Sequence, residues 1–301
     1  MNKVLQDFIG KYKEKVDVEI ARELERRLEE VREISPHLVP ILEAMKELSV
    51  GGKRLRAMLT ILGYQISTKY EIRNTKLNEI IRAAVVMEIF HLGLLIQDDF
   101  MDRDKVRRGV KTLMARYDDQ HVADFVSVLA GDYTFGWGIE IISHLKLPNS
   151  QIVNAMKVWG KYFTRVGYGQ TLDGLAIADA KTILEILKLK SGEYSCVLPL
   201  LLGATLGGAD EKLLSQLEKY AMELGWVFQL RDDWLAEYGE SEKTGKPVGG
   251  DSREKKRTFA TMYGQDKTEE AIAEHMVTGK ELAMGNEILE ALVEWTGSRV
   301  N

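Results

Sequence analysis

The chain has 301 residues, with 41 Lys and Arg against 46 Asp and Glu and a net charge of −5. That balance excludes a nucleic-acid binder that works through overall basicity, but not a small anionic ligand, which needs only local bases. The single cysteine, Cys196, excludes an internal disulfide framework and a multi-cysteine zinc site, and fits a reducing, cytoplasmic setting. The opening residues, MNKVLQDFIGKYKEK, lack the apolar core of a signal peptide. No run reaches the roughly 18 apolar residues of a membrane span, so no stable membrane insertion is expected.

Apolar residues recur with helical spacing along nearly the whole chain, and no alternating run persists. The expected class is therefore all-α, in one domain covering 1–301. Residues 17–33 form a charge-laced amphipathic helix at the periphery, with Glu23 and Arg27 paired one turn apart. A short helix over 38–48 is closed by Gly51-Gly52. The segment GGKRLRAMLTILGYQI then feeds Lys53, Arg54 and Arg56 into an apolar helix. A long helix spans 77–103, and others span 121–145 and 150–179. A helix over 180–206 carries Lys190-Ser191-Gly192, and Pro199 inside it predicts a kink or a restart. Residues 210–238 form a further long helix. A Gly-rich loop, 239–251, follows, and helical patterns resume after Asp251.

The chemistry concentrates at the end of the 77–103 helix. An apolar run turns abruptly into Asp98, Asp99 and Asp102, and Arg107 and Arg108 follow. At 3.6 residues per turn Asp98 and Asp102 share a face, with Asp99 beside them. Like charges so spaced repel, so by itself the cluster reads either as a solvated acidic helix end or as a place that holds cations. Mg²⁺ suits it, because it binds through one or two carboxylates together with substrate phosphates. The 210–238 helix repeats the design and ends in Asp232-Asp233. If the two ends meet, two carboxylate clusters face each other across a cleft, as in other helical bundles that hold metals. Gly245-Lys246 invites a nucleotide-loop reading, but Pro247 stands where that motif needs Ser or Thr.

Taken in order, these motifs make the chain resemble the polyprenyl synthetase family of trans-isoprenyl diphosphate synthases. They are GGKRLR at 51–56, His91 before the aspartates, DDFMD at 98–102, RRG at 107–109, GQTLD at 169–173, KSG at 190–192, FQLRDD at 228–233 and TGKPVGGD at 244–251. The resemblance implies the isoprenoid synthase fold, helices around a deep central cavity. It also implies a head-to-tail prenyltransferase that condenses isopentenyl diphosphate with an allylic diphosphate, using about three Mg²⁺ per site and working as a homodimer. By the same resemblance, Asp98, Asp99, Asp102, Asp232 and Asp233 hold metal. Arg107, Lys190 and Lys246 grip the allylic diphosphate, and Lys53, Arg56, His91 and Arg108 hold isopentenyl diphosphate. Ser191 and Gln229 contact substrate, and Gln229 faces the cation formed in the reaction. A non-catalytic partner subunit would lose one of these groups. A terpene cyclase would not need the second set of bases.

Short-chain members of the family close the cavity with a large aromatic five residues before the first aspartate. Here that position is Gly93, so the floor is expected one turn deeper, at Phe90, with Leu94 beside it. The expected product is geranylgeranyl diphosphate (C20). The alternatives are farnesyl diphosphate (C15) and chains of C25 or longer.

Overall fold

The structure is a computed structural model describing residues 2–69, 74–175, 177, 179–239 and 258–300. Helix dominates, as the periodicity predicts. The first helix, α1 (Lys3–Ile34), is longer than the amphipathic stretch that announces it, because Leu5, Phe8, Tyr12 and Val16 continue its buried stripe toward the N-terminus. The next helices are α2 (Val39–Ser49), α3 (Leu55–Ser67) and α4 (Asn74–Asp102). The run Ala83–Ile89 of α4 is buried almost without a break. A stretch buried on all sides, apolar here but for Glu88, has no solvent face to choose and must sit at the centre of its bundle.

A small departure from the all-α expectation follows α4. Val106–Arg107 (β1) pairs antiparallel with Val110–Lys111 (β2). The two-residue turn is Arg108-Gly109, with φ of 52° and 82°. Positive φ at both positions is what a primed hairpin turn requires, and glycine accepts it without strain. The hairpin has one local consequence: the side chains of Arg107 and Arg108 leave in different directions.

The chain continues through α5 (Gln120–Ser143) and α6 (Asn149–Gly174), which stops earlier than the expected 179. The single helix expected over 180–206 is three pieces in line. They are α7 (Ala180–Ile186), a π-helical segment (Leu187–Val197) and α8 (Leu198–Leu206), whose first turn holds Pro199. The restart at proline is as predicted. The wide π-helical winding is not visible in the sequence, and such turns concentrate at functional sites. Helix α9 (Glu211–Tyr238) packs on this segment. At their closest point a Cβ on Gly225 would lie 2.3 Å from Gly192 Cα, so only glycine lets the two backbones meet. Helices α10 (Phe259–Tyr263), α11 (Gln265–Glu281) and α12 (Glu287–Gly297) complete the described chain. No helix among the described residues is long and apolar enough to cross a membrane.

Candidate active site

A cleft of about 690 Å³ opens between the C-terminal ends of α4 and α9. Lys53, Arg56, His91, Asp98, Arg108, Lys190, Ser191, Gln229 and Asp232 all line it. Residues scattered over 180 positions of sequence therefore converge on one space. The two aspartate-bearing helices do not lie face to face. The π-helical segment intervenes: it packs on α9 and reaches α4 through Tyr194, whose hydroxyl lies 3.0 Å from Nδ1 of His91.

At the end of α4 the three aspartates part company. Asp98 faces the cleft, within 3.6 Å of Arg107 and 3.7 Å of Lys190, and accepts a hydrogen bond of 3.2 Å from the Gln170 amide. Asp99 is buried and turned to Arg107, whose Nε donates to it at 2.5 Å. Burial lifts its pKa to about 6, with Asp104 and Asp98 adding to the rise and Arg107 opposing it. Its second oxygen, Oδ2, is buried with no hydrogen-bond partner. Asp102 is exposed at the last residue of the helix. Among the described residues no three His, Cys, Asp or Glu side chains converge as a ready-made cage. The donor set nonetheless fits Mg²⁺, which dehydrates reluctantly and takes one or two carboxylates plus phosphates. Asp98, in the cleft lining, and Asp102, one turn further along the helix, supply such a pair.

The end of α9 also divides its pair. Asp232 faces the cleft and is paired with Arg299 at 3.0 Å. Burial raises its pKa, and Arg299 works in the opposite direction. Asp233 is buried. It accepts 2.7 Å and 3.2 Å hydrogen bonds from the Gln229 amide and the Phe259 N–H. Of the two aspartates expected to take metal here, the structure turns Asp232 to the cleft and gives Asp233 to the backbone where the chain returns at α10. Ser191 and Gln229 share a short hydrogen bond beside them.

The bases sort in a similar way. Arg54 is bound to Asp17 at 2.6 Å, to the Ser49 carbonyl at 2.8 Å and to Glu88 at 3.4 Å. Glu88 also accepts the Ala57 N–H at 3.1 Å and so secures the start of α3. Arg54 thus anchors its loop while its neighbours Lys53 and Arg56 reach the cleft. The Lys53 ammonium lies 5.4 Å from the centre of the Trp295 ring. Burial lowers its pKa, Arg299 adds to the lowering and Asp232 opposes it. Arg56 donates to Ser195 Oγ at 2.7 Å and lies 4.7 Å over the Tyr194 ring. Burial, reinforced by Arg56 and Arg108, holds His91 well below the ordinary histidine range, so its imidazole is neutral. Arg108 crosses to Gly52, where an added Cβ would sit 3.6 Å from its guanidinium. Lys190 is bonded to Asp173 at 2.6 Å. Lys246, expected among the allylic bases, lies outside the described residues.

The residues expected to set chain length, Gly93, Phe90 and Leu94, are not in the lining of this cleft. Ile89, Leu92 and Leu95 are the apolar residues of α4 in the cleft lining. Gly93 packs against α5, where an added Cβ would lie 2.0 Å from Thr134 Oγ1. The space read as vacant at Gly93 is therefore filled by a residue from another helix. Phe90 is buried in an aromatic cluster, with ring centres 4.7 Å from Trp159, 5.4 Å from Phe163 and 5.6 Å from Tyr194. Leu94 is partly buried against the core.

Sequence reasoning missed several members of the site. Arg299 and Trp295 come from the far end of the chain and carry no motif. Glu88, Tyr194 and Ser195 lie in helices outside the quoted motifs. Gln170 and Asp173 were visible inside GQTLD, but nothing in the sequence showed that they meet Asp98 and Lys190.

Known proteins resemble this arrangement. The profile of a family described as polyprenyl synthetase matches residues 39–294. A short chain isoprenyl diphosphate synthase of Methanocaldococcus jannaschii is 30% identical over 82% of this chain and 75% of its own. A farnesyl diphosphate synthase of Geobacillus stearothermophilus is 28% identical over 90% of this chain and 89% of its own. Among solved structures, a geranylgeranyl pyrophosphate synthase from Corynebacterium glutamicum, complexed with isoprenyl diphosphate and magnesium, shares the fold with a TM-score of 0.86. It is 23% identical, and the match covers 98% of this chain and 99% of that one.

Proposed function

Since the chain belongs to the polyprenyl synthetase family, we propose that it joins isopentenyl diphosphate head to tail to an allylic diphosphate and makes a short-chain prenyl diphosphate. One observation carries this reading: a single cleft brings Lys53, Arg56, Arg108 and Lys190 together with Asp98 and Asp232. One diphosphate would not need them all, and we divide the bases into two groups.

The first group receives isopentenyl diphosphate. Lys53, Arg56 and Arg108 offer charge, with Arg presenting a planar donor fork and Lys a compact ammonium. Neutral His91 shares a hydrogen bond between Nδ1 and the Tyr194 hydroxyl, and its tautomer with the hydrogen on Nε2 would donate to this diphosphate. The second group receives the allylic diphosphate. Lys190 and Arg107 approach it beside Asp98, and buried Asp99 fixes the direction of Arg107. Lys246 belongs to the same group by resemblance. Asp98 and Asp102 would hold two Mg²⁺ and Asp232 a third. When bound, these ions neutralise the leaving diphosphate.

The allylic C–O bond breaks and its electron pair leaves with the diphosphate. The double bond of isopentenyl diphosphate forms the new C–C bond, and the proton then lost goes to the released diphosphate, so no protein base is required. Gln229 and the dipoles of the π-helical segment face the developing cation. Ile89, Leu92, Leu95 and Phe228 exclude water from it.

Phe90 lies three residues, about 4.5 Å, deeper along the helix than Gly93, and its aromatic cluster would close an extension of the cleft past Ile89 in this reading. That favours a C20 product. Thr134, standing against Gly93, supports the second reading, C15. Exposed Phe125, Val128 and Leu129 share one face of α5, a suitable contact for the twofold homodimer we also propose. The test is to incubate the pure protein with isopentenyl diphosphate, an allylic primer and Mg²⁺, then analyse chain length. An elongated prenyl diphosphate supports the reading. A cyclised hydrocarbon, or activity only after a second protein is added, overturns it.

A further inference from the structure

Asp232 already has a cation. Arg299 is only 8% exposed, and its side chain is fixed from several sides. Its Nε donates to the Thr296 carbonyl at 3.2 Å, and NH2 donates to the Phe228 carbonyl at 3.0 Å. The same NH2 lies 3.0 Å from Asp232 Oδ1. The guanidinium is 4.3 Å over the Phe228 ring, and the Arg299 carbonyl accepts from Arg231 Nε at 2.8 Å. The end of α12 is thus fastened to α9 through a residue that also neutralises the cleft-facing carboxylate. Arg is always charged, so a dication at Asp232 meets a fixed guanidinium, with the Lys53 ammonium also nearby.

We propose that Arg299 is the resident cation of Asp232, and that a divalent cation arriving with diphosphate displaces it and loosens the segment that follows α12. This rests on the reading of Asp232 as a metal ligand. It adds a competition: metal affinity at the second aspartate end is set partly by the loss of an internal ion pair.

The test measures Mn²⁺ binding by electron paramagnetic resonance, with saturating inorganic diphosphate, on the full chain. Arg299→Gln keeps a donor for the Phe228 carbonyl and removes the charge. It should bind the Asp232-dependent Mn²⁺ about fivefold more tightly than wild type, the factor expected of a partly exposed ion pair. Arg299→Lys should stay close to wild type, and Asp232→Asn should lose that ion. Unchanged or weaker binding in a folded Arg299→Gln, with Asp232→Asn still defective, overturns the competition alone. No Mn²⁺ binding by wild type overturns the reading of the site itself and the competition with it. Amide hydrogen exchange over 295–300 in wild type needs no variant. It should rise when Mg²⁺ and diphosphate are added together and not with diphosphate alone. A fall on adding both overturns the displacement.

Discussion

The ends of α4 and α9 carry the same dipeptide and place it in the same way. In each, the first aspartate (Asp98, Asp232) faces the cleft and the second (Asp99, Asp233) is buried. They differ in what neutralises them. Asp98 and Asp99 share Arg107, which stands eight residues beyond Asp99 in the same local motif. Asp233 has an amide and a backbone N–H, and Asp232 has an arginine from the end of the described chain. A carboxylate pair within one motif can announce both its role and its partner. A pair whose counter-charge comes from elsewhere announces only its role.

The comparison breaks most sharply by removing the carboxylates one at a time. Asp98→Ala and Asp232→Ala should each lower turnover by about a thousandfold, the scale seen when a transition-state electrostatic contact is lost, with circular dichroism unchanged. Asp233→Asn should keep most of the turnover and lower the melting temperature instead, since its oxygens hold Gln229 and the start of α10. If Asp233→Asn were as inactive as Asp232→Ala while melting normally, the division of labour at α9 would be wrong.

The bases allow a finer separation. Arg108→Ala and Lys53→Ala should raise the KM for isopentenyl diphosphate about ten- to a hundredfold, as expected for loss of a charge-assisted contact, with kcat nearly kept. Arg107→Ala should lower kcat or raise the allylic KM. Steady-state kinetics with each substrate varied in turn decides this. Equal effects of the two arginines on both substrates would show that the hairpin does not sort them.

These contrasts also explain what could be read in advance. The helical class, the long helix α4 and the restart at Pro199 follow from periodicity, and many of the cleft-facing residues follow from the family resemblance of the motifs. Side-chain direction at the helix ends does not. Asp98 and Asp99 differ by 100° around α4, and which one meets water depends on elements packed there later. The π-helical winding over Leu187–Val197 includes the close meeting of Gly192 and Gly225, a contact between positions 33 residues apart. Arg299 acts from 67 positions away, beyond the reach of any local pattern. Thr134 beside Gly93 was not legible for the same reason: counting back along one helix says nothing about the neighbour facing each position.

That neighbour changes what a side chain at Gly93 should do. Gly93→Tyr should shorten the product, but it must also push Thr134 aside, an overpacking cost of about 1–3 kcal/mol or more. Thr134→Ala in the same chain should restore stability. Phe90→Ala should lengthen the product and cost about 3–5 kcal/mol, the usual range for a buried ring. Product chromatography is the measurement, with melting curves beside it. If Phe90→Ala left the product length unchanged, the floor would lie away from its aromatic cluster.

The smallest effect is on pH dependence, and it separates Asp99 from His91 next to the same cleft. Asp99 has a folded pKa of about 6, raised by burial above 3.8. Between those values the folded state binds more protons than the unfolded one, so this group adds stability as pH falls from about 7 toward 4. His91 works with the opposite sign. Its folded pKa lies well below 6.5, so stability is lost as pH falls through the unfolded value, where only the unfolded chain gains the proton. In wild type without metal the two trends oppose each other. Asp99→Asn removes the first, so its melting temperature relative to wild type should fall steadily from pH 7 to pH 5. His91→Gln removes the second, so its melting temperature relative to wild type should rise over the same interval. Metal-free melting curves at half-unit steps measure both differences. Parallel curves for Asp99→Asn and wild type would mean that the carboxyl is ionised throughout, and that Arg107, rather than burial, governs the buried aspartate of α4.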